Sequence, residues 1–457
     1  MSICVLLVVK RYDKIAENED LLRFNIAFYF YLGINYYFCI RIRSSLHYKI
    51  LTIVFFMIIE TLKIRNIGPF KEANLEFATS FDKDSADQPI TIITGVNGAG
   101  KSIVVDSIRA ILSGQKLERN IVADESDFSV EIDARYNADG VKHLVATSLE
   151  DGHLKWVDYT NLNKFFQFGY NLPGLVYGWV VDYWSSKLPS DSFEIKNMVN
   201  IEHEKVLANV LLGKKNNVDL TNFICQVDYL RSSEMPEEKT LGEIMYSSVK
   251  SIVNECLDNG EFKYVRRTDC TPIVVQNGHL LSLEKLSSGN IFLIEHLLML
   301  LCKMYSVCVL NKLDPKEICN IPGLLLIDEI ENHLHPKWQK KILGIIRRTF
   351  PNLQIILTTH SPFVVASVDN ARIYTCVSKG DHSVIEDETD KYTHMPVEEI
   401  LASDVFAVSS FNDEITTLLQ QRKSLYRQGR KEEAGAIERQ LVEINPEYFA
   451  YLDTKGL

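Results

Sequence analysis

Apolar and polar residues alternate along "IIETLKIRNIGPF" (58–70), and the alternation stops at Gly68-Pro69. A period of two predicts a half-buried strand closed by a turn, and "ANLEF" (73–77) can pair back against it. "PITIITG" (89–95) is instead a continuous, β-branched apolar run, the pattern of a strand buried on both faces. It runs into a glycine-rich loop, after which "SIVVDSIRAILSG" (102–114) takes up helical spacing. The order is strand, loop, helix. Between 127 and 157, alternation with turns at 137–140 and Asp151-Gly152 predicts a small antiparallel sheet.

Residues 155–260 show weaker, mainly helical periodicity without legible chemistry. A structureless loop of that length does not fit a compact domain, so a helical insertion is expected. "TPIVVQNGHLLSLEKLSSG" (271–289) returns as a hairpin around Asn277-Gly278. A long apolar helix (291–304), the buried strand "GLLLIDE" (323–329), a helix from about Pro336 and the buried strand "LQIILTTH" (353–360) follow. Strands alternating with helices indicate a largely parallel sheet. After 396 the pattern is two amphipathic helices around Gln428-Gly429, carrying Arg422, Lys423, Arg427, Arg430 and Lys431. The predicted layout is a leader (1–56), a first lobe (57–154), a helical insertion (155–265), a second lobe (266–395) and a helical tail (396–457).

The leader contains "FNIAFYFYLGINYYFCI" (24–40), an uncharged run between Arg23 and Arg41. A spanning helix needs about 20 apolar residues, so the run is marginal for a membrane, and it lacks the features of a signal peptide. The plainer expectation is that Met57 opens the working protein and 1–56 stand outside it. Membrane contact is not expected.

Composition changes this picture little. With 457 residues, 46% hydrophobic and 24% charged, the chain has material for two or three domains. A net charge of −11 argues against a general nucleic-acid coat, although not against a local basic groove. Nine cysteines without a C-x-x-C pair fit a reducing cytoplasm.

The chemistry concentrates in three places. "GVNGAGKS", Gly95 to Ser102, matches G-x-x-x-x-G-K-[ST]. Backbone N–H groups of Gly95, Asn97, Gly98, Ala99 and Gly100 can wrap a phosphate chain only if side chains stay clear. Lys101 would then reach the β- and γ-phosphates of ATP and Ser102 would ligate Mg²⁺. Asp328 and Glu329 end a buried strand at the edge where parallel sheets bind ligands. Asp328 suits the Mg²⁺ shell, and Glu329 suits activation of the attacking water. His360 ends the next apolar strand and can sense the γ-phosphate. Finally, Ser287, Ser288 and Gly289 open a helix, where free N–H groups serve either a side-chain cap or an anion.

In this order the motifs resemble the ATP-binding-cassette ATPases, over about 60–160 and 270–380. "LSSGN" (286–290) looks like a variant of that family's L-S-G-G-Q signature, with Asn290 in place of glutamine. The likeness is closer to the SMC, RecF and OLD branch than to transporters, whose Asp-Glu pair is usually followed by proline where this chain has Ile330. "LLIDEIENHLHPKWQKKIL" (325–343) is similar to the stand-alone ATPases of that branch, many of them partners of nucleases in anti-phage systems such as Septu, PARIS and some retrons.

The resemblance implies an α/β, ABC/SMC-head-like P-loop ATPase with an antiparallel β subdomain, a helical insertion and a helical tail. It implies ATP and Mg²⁺ as cofactors and a homodimer or higher oligomer closed through ATP-bound heads. Ser287 and Gly289 would then face the partner's nucleotide, and "ENHLHP" (331–336) would abut the opposite subunit. A nuclease from another chain is the expected partner, with DNA as a further one. A RecF- or SMC-like DNA-repair or DNA-sensing ATPase stands as the alternative, and a transporter motor behind it. The family's glutamine loop has only Gln115 and Gln167 as candidates, and metal binding by His333 and His335 is not expected. The acidic stretch "DHSVIEDETD" (381–390) reads as a solvated loop, leaving no room for a nuclease domain.

Overall fold

A computed structural model describes 57–80, 88–114, 116–117, 122, 127–136, 141–150, 152–168, 178–185, 200–208, 210–212, 219–403, 406 and 413–449. It also gives three short strands nearer the N-terminus: β1 (Arg23–Ile26), β2 (Cys39–Ser44) and β3 (His47–Thr52), joined as an antiparallel sheet. Most of the apolar run 24–40 lies outside the described residues.

The alternating segment forms β4 (Met57–Ile67), which pairs antiparallel with β5 (Phe70–Glu76) through a turn at Gly68. β6 (Ile90–Gly95) is buried at every position, as its unbroken apolar run requires. Helix α1 (Lys101–Ser113) follows the glycine loop, and β7 (Ser129–Tyr136), β8 (Val141–Glu150) and β9 (His153–Trp156) make the expected antiparallel meander. Next come α2 (Asn161–Phe168), β10 (Val180–Trp184), α3 (Leu220–Leu230), α4 (Pro236–Glu255), β11 (Gly260–Arg266), β12 (Thr271–Gln276) and β13 (His279–Ser282). The second lobe adds α5 (Ser288–Asn311), β14 (Gly323–Ile327), α6 (Ile342–Thr349), β15 (Leu353–Thr358), β16 (Arg372–Ser378), β17 (Ser383–Asp387) and α7 (Val397–Ala402). The tail is α8 (Asp413–Arg427) and α9 (Lys431–Ile444). Only helices of six residues or more are numbered.

One 11-stranded sheet carries the fold, in the order β10-β14-β15-β6-β16-β17-β5-β4-β7-β8-β9. From β10 to β16 every pair is parallel, so each strand needs a crossover and both faces are covered. From β5 to β9 the pairing is antiparallel. The result is the expected α/β fold with an antiparallel subdomain. Phosphate loop and Asp-Glu strand sit two strands apart, with β15 and His360 between them.

Three expectations change in detail. The 155–265 segment is not wholly helical: β10 joins the edge of the main sheet, and β11 pairs with β12 and β13 in a separate antiparallel sheet. "DHSVIEDETD" is no loop, because β17 pairs antiparallel with β16 and parallel with β5 inside the main sheet, its residues mostly half-buried. The helix from Pro336 is one turn (Pro336–Gln339) followed after a break by α6.

Helix α5 is apolar around its circumference, which a soluble fold accommodates only by surrounding it. Among the described residues it is the one helix long and apolar enough to cross a membrane, and most of it is buried. It packs against β10, where Lys303 on the helix pairs with Asp182 on the strand, both fully buried. Trp184 Nε1 also donates to Asp182, at 3.1 Å. The hairpin at Asn277-Gly278 takes φ of 52° and 81°, the left-handed pair that a tight turn demands. In the tail, Leu441 and Phe449 form a small core of their own with Ile415 and Leu418. Arg422 pairs with Glu438 at 2.7 Å and Arg430 with Glu433 at 2.6 Å, so the tail's basic residues are partly neutralised at home.

Candidate active site

β6 delivers Gly95 to the carboxyl edge of the sheet, and the chain turns through Gly98 and Gly100 into α1. Gly95 has φ 143°, and a Cβ there would lie 2.4 Å from the Cys376 carbonyl oxygen on the neighbouring strand. Gly100 has φ 107°, and its Cβ would meet the Phe70 ring at 2.5 Å. Side chains are excluded from the loop on both sides. Gly98, with φ 78°, instead faces open space, and Asn97 beside it is exposed. Ala99 is buried, and Ser102 lies half-buried in the first turn of α1. The Lys101 ammonium folds back over the loop, donating to the Gly95 and Val96 carbonyls at 2.9 Å each. Burial lowers its pKa, against the attraction of Glu331, Glu329 and Asp328.

Those carboxylates come from the end of β14. Asp328 is buried; its N–H donates to the Trp184 carbonyl at 2.9 Å, and its Oδ1 accepts the Thr358 hydroxyl at 2.7 Å. The same hydroxyl accepts the Glu329 N–H at 2.8 Å. Glu329 takes φ 54°, a left-handed conformation that costs a non-glycine residue about 1–2 kcal/mol. That strain persists because Thr358 holds its N–H and Asn332 Nδ2 donates to its Oε2 at 2.8 Å.

His360 follows β15. Burial lowers its pKa, as does the nearby Lys101 charge; Glu329 and the Gly95 backbone act the other way. Lys101 and Glu329 both lie near enough to act on the ring, and the lowered pKa favours its neutral form. Lys101, the Asp328-Glu329 pair and His360, drawn from three separate segments, share one site. Hard oxygen donors such as the Ser102 hydroxyl and the Asp328 carboxylate are the chemistry that fits Mg²⁺ beside phosphates. Among the described residues no cluster of three His, Cys, Asp or Glu could hold a metal ion unaided.

The signature segment lies elsewhere. Ser287 caps α5, its Oγ accepting the Asn290 N–H at 3.3 Å, and Asn290 Nδ2 donates to the Cys256 carbonyl at 2.5 Å. Ser287 and Ser288 are exposed. A Cβ built on Gly289 has only the His333 carbonyl near it, at 3.1 Å. The strand against which α5 packs, β10, is three strands from β6, about 14 Å at the usual spacing. The phosphate loop is not among the neighbours of a Cβ on Gly289. His333 and His335 are exposed, and His335 caps the Pro336–Gln339 turn. Gln115 and the Gln167 side chain lie outside the described residues.

Sequence reasoning missed Thr358, Glu331, Asn332 and Trp184. Two threonines ending an otherwise apolar strand, before a histidine, were the available signal for Thr358. Glu331 accepts the Thr359 hydroxyl at 2.7 Å and the His360 N–H at 2.5 Å. Burial pushes its pKa up while those two hydrogen bonds pull it back. Nothing in the pattern of "IENHLHP" distinguishes it from a solvated acid.

Comparison with known proteins adds relatives. Residues 271–366 match the family described as "AAA domain, putative AbiEii toxin, Type IV TA system", and 61–225 match one described as "AAA domain". The "Retron Vc95 probable ATPase" of Vibrio cholerae serotype O1 biovar El Tor is 26% identical over 388 residues, 68% of this chain and 73% of that protein. The "Septu protein PtuA" of Bacillus thuringiensis is 25% identical over 345 residues, 74% of this chain and 78% of that protein. Of solved structures, the "SMC head domain from Thermotoga maritima" is 12% identical with a TM-score of 0.40, across 72% of this chain and 98% of that one.

Proposed function

We propose that this AAA/SMC-like ATPase, homologous to the retron and Septu proteins, hydrolyses ATP with Mg²⁺, dimerises around the nucleotide and governs a partner nuclease in anti-phage defence. The observation that carries the reading is the meeting of Lys101, Asp328, Glu329 and His360 at one sheet edge. Loop N–H groups and the start of α1 bind the phosphates, and Lys101 leaves the loop carbonyls for the γ-phosphate. Ser102 and Asp328 would hold Mg²⁺, which would supply positive charge beside the phosphate oxygens. Glu329 Oε orients the attacking water and takes its proton, while neutral His360 donates toward the γ-phosphate. Because Gly98 faces open space and Ser287 and Ser288 are exposed, two copies arranged head to head can place each Ser287–Gly289 against the other's nucleotide.

The test is ATP turnover by the purified chain with and without Mg²⁺, beside ATP-dependent dimerisation of Glu329→Gln. Absence of both would overturn the ATPase reading. The defence role is tested by the adjacent gene: a nuclease whose activity changes with the ATP state supports it, and a permease contradicts it.

A further inference from the structure

The segment after β14 is stitched to the end of β15 rung by rung. Glu329 donates its N–H to the Thr358 hydroxyl, Ile330 donates to the Thr358 carbonyl at 3.3 Å, and Ser361 Oγ donates to Gln339 Oε1 at 2.6 Å. The rung that holds the switch histidine is Glu331, whose two carboxylate oxygens take the Thr359 hydroxyl and the His360 N–H. Two residues further on, His333 lies against the other candidate surface. Its carbonyl is the neighbour of Gly289, and its ring sits 5.9 Å from Phe292 in the first turn of α5. One short loop therefore touches the signature helix at one end and grips the backbone of the switch histidine at the other.

From this geometry we propose that Glu331 is a positioning residue: it clamps the His360 backbone to the 329–336 loop, so that displacement of the loop at Gly289 moves His360 relative to Lys101 and Glu329. The inference rests on the ATPase reading and adds to it the route by which closure on a second chain reaches the chemistry. Both carboxylate oxygens of Glu331 are engaged, by Thr359 and by His360. Its effect is on the placement of a neighbour, and a misplacement of about 1 Å can cost up to a hundredfold in rate.

The experiment compares Glu331→Ala and Glu331→Gln for turnover, ATP Kd and thermal midpoint. In Glu331→Gln the amide oxygen can accept the His360 N–H while the amide nitrogen donates to the Thr359 hydroxyl turned about. The clamp survives without its charge. Glu331→Ala should lower kcat by about tenfold or more with ATP Kd within about twofold, and Glu331→Gln should recover turnover to within about threefold. Thr359→Val, which removes one rung and leaves the His360 N–H bonded, should fall between them and serves if the alanine variant does not fold. Wild-type kcat in Glu331→Ala, equal loss of ATP binding and turnover, or a glutamine variant as slow as alanine would each overturn the proposal. If instead the unaltered chain hydrolyses no ATP, the ATPase reading fails, and the two failures are distinguishable.

Discussion

Thr358 donates its hydroxyl hydrogen to Asp328 Oδ1 at 2.7 Å, and with the same oxygen receives the Glu329 N–H at 2.8 Å. A single side chain on the middle strand thus fixes the proposed metal-shell acid, Asp328, and the backbone of the proposed base, Glu329. Thr358→Val keeps the shape and removes both bonds, leaving a buried N–H and a carboxylate oxygen short of partners. Stability should fall by about 1–3 kcal/mol. Turnover should fall more than ATP affinity does, measured by ATPase kinetics beside equilibrium nucleotide binding. Equal effects on both would show that Thr358 only holds the fold.

Glu329→Gln preserves the hydrogen-bonding shape and removes the charge that takes a proton from water. ATP binding should persist while turnover drops by about 10²-fold or more. Lys101→Ala should instead abolish tight nucleotide binding. Titration with a fluorescent ATP analogue separates the two, and unchanged affinity in Lys101→Ala would refute the phosphate-loop assignment.

Sharing of the nucleotide is read by mixing. Lys101→Ala and Ser287→Arg chains, each inactive alone, form heterodimers with one intact site if Ser287 acts on the partner's ATP. A 1:1 mixture then recovers roughly a quarter of wild-type turnover when chains exchange freely and sites fire independently. No recovery, in a mixture where mass spectrometry finds heterodimers and Ser287→Arg still dimerises with ATP, would place Ser287 in its own chain's site.

Acid sensitivity is expected from His296. Burial drives its pKa from the ordinary 6.5 down to about 4, with Asp182 and the Phe292 carbonyl raising it and Lys303 lowering it. Its Nδ1 lies 2.9 Å from that carbonyl. Between those two values the unfolded chain binds a proton that the folded chain refuses. Its contribution is complete above 6.5 and shrinks as pH falls toward 4, by on the order of 3 kcal/mol in all. Urea unfolding across this range should show a slope reduced by up to one proton in His296→Gln. An identical slope would mean that another group sets the acid limit.

The parallel core was legible because strands buried on both faces, such as "ITIITG" and "GLLLI", have to be unbroken apolar runs, and the glycine loop had to be followed by a helix. β10 was missed for a physical reason. "VVDYW" places an aspartate in a buried strand, and its counter-charge is Lys303, 121 positions away. The roles of Thr358 and Glu331 were hidden likewise, since both depend on hydrogen bonds between strand ends about 30 residues apart in sequence.

The edge position of β10 has a consequence for how this chain can be cut or recombined. The 155–265 region looks in sequence like an interchangeable insert, yet it supplies the outermost strand of the catalytic sheet and the carbonyl of Trp184 that receives the Asp328 N–H. Excising the region, or swapping it for one from another protein, would leave β14 as a bare edge and Lys303 buried without its counter-charge. A graft that kept 178–185 would retain both ties, and one that also kept Cys256 and β11 would retain the bond from Asn290 and the pairing with β12.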